Sequence, residues 1–166
     1  MLLKFPSLFP AVRRRRRRRK ARTLSAHRLY KEHREEAVVL LRERVQHFSL
    51  HCGYIPKRVT IKDQSRRWGS CSALGNLNLN YRLAYLPPCA RDYVVVHELC
   101  HLRELNHSPA FWSLVERHFP NMKQAQTLLR EIEKATNLDV QRIKHYWSYS
   151  HHDCEYCQKT NPHLPQ

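Results

Sequence analysis

Apolar positions recur every three or four residues from about Ala26 to Leu50. Leu29, His33, Val38, Leu41, Val45 and Phe48 alternate with charges, which predicts an amphipathic helix. Gly53 then marks its end. The period changes to two over Val59-Thr60-Ile61-Lys62, a short strand. Trp68 to Cys71 and Asn76 to Tyr81 predict two more strands, turned around Ala73-Leu74-Gly75; Leu77, Leu79 and Tyr81 alternate with three asparagines, the signature of a half-buried strand. After Pro87-Pro88 the helical period returns from Cys89 to about Leu105. Ser108-Pro109 opens another helix, serine as cap and proline at the first helical position, with Phe111, Trp112, Val115 and Phe119 on its apolar side. Pro120 closes it. A last clear helix spans Met122 to Thr136, with Leu128, Leu129 and Ile132 inward, and Val140, Ile143, Tyr146 and Trp147 offer further core contacts. Helix, small antiparallel sheet, then helices is the order of an α+β domain.

A chain of 166 residues suits one core plus tails. We assign residues 1–25 to a flexible poly-arginine arm, 26–150 to the folded domain and 151–166 to a loose tail. The net charge of +16 is concentrated at one end: the first 22 residues hold ten of thirty basic residues and no acid, leaving the remainder at +6. A run such as Arg13 to Arg19 repels itself and can engage nucleic acid or serve as an address. The opening Met1-Leu2-Leu3-Lys4-Phe5-Pro6 is short, and its arginines follow the apolar part, the reverse of a secretory signal. No apolar run reaches the ~18–20 residues of a membrane span. Cys52, Cys71, Cys89 and Cys100 lack framework spacing, which points to reduced thiols and a cytoplasmic setting.

The chemistry is concentrated in His97-Glu98-Leu99-Cys100-His101-Leu102-Arg103-Glu104-Leu105-Asn106-His107. Residues four apart share a helix face, so His97 and His101 can aim imidazole nitrogens at one zinc ion, at about 2.0–2.1 Å. Glu98, beside the first ligand, can reach a water held by that ion without ligating it. A catalytic zinc site takes three protein ligands and keeps one position open. His107 is the third candidate and Glu116 the fallback. On an unbroken helix His107 would lie about 9 Å beyond His101, so the helix must break after about Leu105. Asn106 tolerates left-handed angles, and Pro109 biases Ser108 away from the helical region. Arg67, Tyr81, Arg82 and Arg103 are candidate donors to a developing oxyanion. Trp68, Trp112, Phe111 and Leu79 read as packing. In the tail, His151, His152, Cys154, Cys157 and His163 suggest a second, structural zinc, although one Cys-x-x-Cys pair is only half of a four-cysteine site.

Trp68-Gly69-Ser70-Cys71, Asn76 to Leu83, Tyr93 to His101 and Asn106 to Trp112 together resemble the YgjP-like metallopeptidases, a zincin-like group similar to the SprT-like proteases. The resemblance covers roughly residues 27–135. It implies zinc on His97, His101 and His107, Glu98 as the catalytic residue, and a peptide or protein substrate. The spacing from His97 to His107 also matches metzincins, but Glu104 stands where those carry glycine, which places the backbone turn later. Two alternatives remain from the residues themselves. One is zinc-dependent hydrolysis of an anionic non-peptide substrate such as a nucleotide. The other is a zinc-binding module on nucleic acid, against which an intact Glu98 speaks.

Overall fold

The structure is a computed structural model, and it describes residues 10–64, 67–149 and 156–157. The described residues divide into two compact units, the smaller up to Arg34 and the larger from Glu35 onward.

Helix α1 runs from Pro10 to Cys52, starting well ahead of Ala26. Arginine and lysine are good helix formers, so the basic segment can hold helical backbone without an apolar stripe. In the larger unit, α1 buries Ala37, Leu41, Val45, Phe48 and Cys52, spaced by fours and threes. The stripe passes through Ala37, while Val38 is half-buried. Gly53 follows with φ +71, a left-handed turn that glycine adopts without penalty.

Strands β1 (Arg58–Lys62), β2 (Gly69–Cys71) and β3 (Asn76–Asn80) form a sheet of order β1-β3-β2. The sheet is mixed, which corrects the antiparallel expectation: β2 pairs antiparallel with β3, but β1 pairs parallel with it. The chain crosses from one edge to the other between β1 and β2, and Asn80 holds that crossing. Its buried amide donates to the carbonyls of Gln64 and Arg67 at 2.7 and 2.9 Å. Leu77 and Leu79 are fully buried on one face.

A 3-10 helix, Tyr81–Tyr85, leads to α2 (Pro88–Cys100). Ala90, Val94, Val95, Val96 and Leu99 are all buried, so α2 is covered around most of its circumference, as a central helix must be. It touches β2, β3, α3 (Pro109–His118) and α4 (Met122–Thr136). Helix α5 (Val140–Tyr149) buries Val140 and Ile143. The ends of α3 and α4 fall where capping residues predict. Ser108 Oγ accepts from Phe111 N at 3.3 Å, and α4 ends on left-handed Asn137 (φ 49).

Helix α2 stops at Cys100, five residues short of the expected Leu105. The last turn tightens, with Leu102 N bonding Leu99 O and Arg103 N bonding Cys100 O, each at 3.0 Å, the i to i−3 pattern of a 3-10 ending. Nor is Asn106 left-handed: among the described non-glycine residues, only Asn137 and Leu138 have positive φ.

Candidate metal centre

The early stop of α2 returns the chain across its own end. His97 lies in the last turn, His101 is the C-cap residue, and His107 returns just before α3. One ring nitrogen from each lies within 4.8 Å of the other two. His97 Nε2 and His107 Nε2 are 3.1 Å apart. Two nitrogens each about 2.0–2.1 Å from one tetrahedral ion would be about 3.3 Å apart, so the spacing fits a shared cation. Glu116, the fallback ligand, is exposed on α3 and outside this cluster.

Each imidazole is held from behind. His101 Nδ1 donates to the carbonyl of Glu104 at 2.9 Å. A carbonyl only accepts, so Nδ1 carries the proton and Nε2 presents its lone pair. The same bond pins the turn that ends α2. His97 Nδ1 sits 3.4 Å from Tyr93 Oη, and that hydroxyl accepts from Gln126 Nε2 at 2.9 Å. A link therefore runs from α4 through Tyr93 to His97. Phe111, fully buried, touches all three rings, with centroid distances of 4.9, 4.4 and 4.8 Å to His97, His101 and His107. Trp112 stacks on His107 at 5.5 Å. The two aromatics thus form the bed of the histidine cluster. By sequence they read as packing; their signal is position, three and four residues past the Ser108 cap.

Burial lowers the His97 pKa to about 3, with the neighbouring His101 and His107 adding to it. Burial also lowers that of His101. Both effects favour the neutral ring, the form that can ligate a metal.

Glu98 faces the sheet. It is 7% exposed, and its Oε2 is buried with no hydrogen-bond partner. Desolvation pushes its carboxyl up to about 7, against the pull of Arg67. Strand β2 passes directly over it: a Cβ at Gly69 would lie 2.7 Å from both Cγ and Oε1 of Glu98. That strand is fixed at both levels. Asn80 N donates to Trp68 O at 2.7 Å, and the Trp68 indole donates to Glu133 on α4 at 2.6 Å. Three converging imidazoles and an orphaned carboxylate oxygen suit a borderline-soft divalent ion with an open position.

Of the four candidate donors, Arg82 is committed to Asp63 and to the carbonyl of Gln64. Tyr81 is 1% exposed and lies beneath the Arg82 guanidinium at 4.8 Å. Arg103 lies over Tyr54. Arg67 is exposed and close enough for its charge to act on Glu98. In the tail, Cys157 is buried, while His151, His152, Cys154 and His163 lie outside the described residues. So do the arm's first nine residues and the side chains of Arg13 to Arg19.

An α+β domain with such a cluster at the end of its central helix falls in the class of metallopeptidases. The chain belongs to the YgjP-like family, whose metallopeptidase-domain model matches residues 11–132. Among solved structures it is similar to the metallopeptidase zymogen of Pyrococcus abyssi abylysin. That match has 26% identity, covers 57% of this chain and 92% of that one, and has a TM-score of 0.49. No curated protein matches the chain. No described helix is long and apolar enough to cross a membrane.

Proposed function

We propose that the protein is a zinc-dependent peptidase in which His97, His101 and His107 hold the metal and Glu98 is the general base and acid. The observation that carries this reading is the convergence of three ring nitrogens within 4.8 Å, together with the buried, unpartnered carboxylate oxygen of Glu98, the residue next to His97. Zinc, when bound, supplies a Lewis acid that polarises a carbonyl and brings the pKa of water towards neutrality. Glu98 accepts the proton of the attacking water and returns it to the leaving amine. Burial raises that carboxyl in the metal-free chain, towards the range in which one group can both take up and release a proton. Gly69 leaves room for that carboxylate, and the Trp68-Gly69 wall keeps water off its far side. Arg67 is the favoured donor to the developing oxyanion, because Arg82 and Tyr81 are engaged elsewhere. The substrate is a peptide or protein.

Glu98→Gln should retain one zinc per chain and lose turnover of casein by about 10²–10⁴-fold, the usual worth of a positioned proton shuttle. Full activity in that variant overturns the mechanism. Zinc content separates the third ligands: His107→Ala should lose metal and Glu116→Ala should keep it. Nucleoside triphosphates assayed beside casein test the non-peptide alternative, since their hydrolysis without casein cleavage would replace the peptidase reading.

A further inference from the structure

Three loops that are distant in sequence meet beside the turn that holds His101. The amide of Lys57 donates to the carbonyl of Gly75 at 2.9 Å. A Cβ on Gly75 would lie 3.5 Å from Lys57 Cγ and 3.8 Å from Leu102 Cδ2. Residues 54–57, the β2–β3 turn and the turn after α2 therefore share one corner. Each presents a large apolar side chain to solvent: Ile55 is 80% exposed, Leu74 70% and Leu105 53%. Among the described residues, only Val39 and Leu50 are comparable, and both lie on α1.

Next to this corner is an open cavity of about 800 Å³, whose walls include Tyr54, Leu102, Arg103, Glu104, Leu114 and Arg117. Its lining carries exposed Arg103 and Arg117 against one carboxylate, Glu104, and exposed Lys57 lies at the adjoining corner. Isolated exposed leucines are ordinary on a surface, whereas apolar side chains on three adjoining loops, next to a cavity with a charged rim, mark an interaction site. The ring is cationic, so the complementary partner carries acid around its apolar anchors.

We infer that the corner formed by Ile55, Leu74 and Leu105, with the cavity rimmed by Arg103 and Arg117, is a docking surface for an acidic protein segment with apolar anchor residues. The anchors cover the three exposed side chains or enter the cavity, and the segment's carboxylates face Lys57, Arg103 and Arg117. The surface is separate from the chemistry of the metal centre, though it abuts it: Glu104, whose side lines the cavity, also gives His101 its backbone acceptor. An occupant here is held close to the cleft by contacts that take no part in bond cleavage.

The test uses the full-length, zinc-loaded chain carrying Glu98→Gln, so that binding is read without turnover. The probe is a fluorescein-labelled twelve-residue peptide with leucine at every third or fourth position and glutamate between. Fluorescence anisotropy should show it binding at least tenfold tighter than the same peptide with lysine for glutamate or serine for leucine. The triple change Ile55→Ser, Leu74→Ser, Leu105→Ser should weaken binding at least tenfold, and so should Arg103→Glu with Arg117→Glu. On the wild-type Glu98 background, the triple change should not alter cleavage of a four-residue substrate too short to reach the corner.

Equal binding by the triple variant, by the charge-reversed variant or to the lysine peptide overturns the proposal, as does a wild-type chain that binds none of the peptides. Self-association in sedimentation that the triple change abolishes would assign the corner to a second copy instead. Binding to phosphatidylserine vesicles in place of the peptide would assign it to a lipid surface. Failure of the peptidase reading looks different: peptide binding intact and no cleavage by the wild type.

Discussion

Residue 69 is glycine because of what lies behind it. Any side chain there would start 2.7 Å from the Glu98 carboxylate, closer than real Cβ contacts come, and the flexible carboxylate would have to swing away. Gly69→Ala should therefore keep zinc, since the atoms nearest that position all belong to Glu98, but lower kcat by about 10²-fold, the scale of a 1 Å misplacement in an active site. Zinc stoichiometry beside peptide-cleavage kinetics checks this; unchanged kcat would mean that Glu98 has room the structure does not show. Tyr93 acts in the opposite sense. Its hydroxyl, fixed by Gln126, sits against the ring nitrogen of His97 that faces away from the cluster. Loss of such an outer partner costs about 10–100-fold in metal affinity. Tyr93→Phe should show that loss in competition with a chelator, and Gln126→Ala a smaller one, because the tyrosine remains. That His97 and His101 come together was readable from their four-residue spacing, but the places of Tyr93 and Gln126 were not. They are 33 residues apart, and nothing local marks a tyrosine as a histidine's partner.

Among the elements, what could be read depended on whether the signal was local. Ser108-Pro109 and Pro120 bound α3 through cap and ring chemistry, and the structure puts its ends there. The end of α2 carries no such mark. Leu102, Arg103, Glu104 and Leu105 are good or neutral helix formers, so pattern alone extends the helix through them. The stop comes instead from the side chain of His101 taking the Glu104 carbonyl and from Leu102 packing at Gly75. Strand direction was unreadable for a related reason: alternation with period two is the same in parallel and antiparallel pairs, and the crossing that makes β1 parallel depends on Asn80 reaching the carbonyls of Gln64 and Arg67. The cap of α3 matters beyond its own helix, because that first turn sets both His107 and the Phe111 bed. Ser108→Ala leaves Phe111 N without its acceptor and should cost about 1 kcal/mol. It should also weaken zinc binding, read as a lower denaturation midpoint with metal and a shifted chelator competition. A stability loss with zinc affinity unmoved would show that His107 is held by ring stacking alone.

Across the larger unit, one buried carboxylate ties separate elements together. Asp92, on α2 and 0% exposed, accepts from Arg44 on α1 at 3.0 and 2.9 Å, from neighbouring Arg91 at 2.9 Å and from Tyr156 at 3.0 Å. The fork of Arg44 matches both carboxylate oxygens, the geometry that makes such pairs strong. In a chain with sixteen surplus positive charges, an acid at this point gathers two guanidiniums that would otherwise repel. No local pattern announces it, since Asp92 reads as one polar residue in an apolar helix. Removing one partner of a buried pair costs about 3–5 kcal/mol, because the others keep their desolvation without their counter-charge. Asp92→Asn should lose that much in urea denaturation of the zinc-loaded protein. The three histidines do not touch Asp92, so the variant's folded state should bind zinc with unaltered affinity. Zinc at about a hundred times its dissociation constant adds about 2.7 kcal/mol to any chain that binds only when folded. The variant should therefore gain the same increment from metal as the wild type while sitting lower at every concentration. Parallel curves of stability against zinc would separate a network that holds α1 on α2 from one that shapes the metal site; curves that diverge would place Asp92 in the second role.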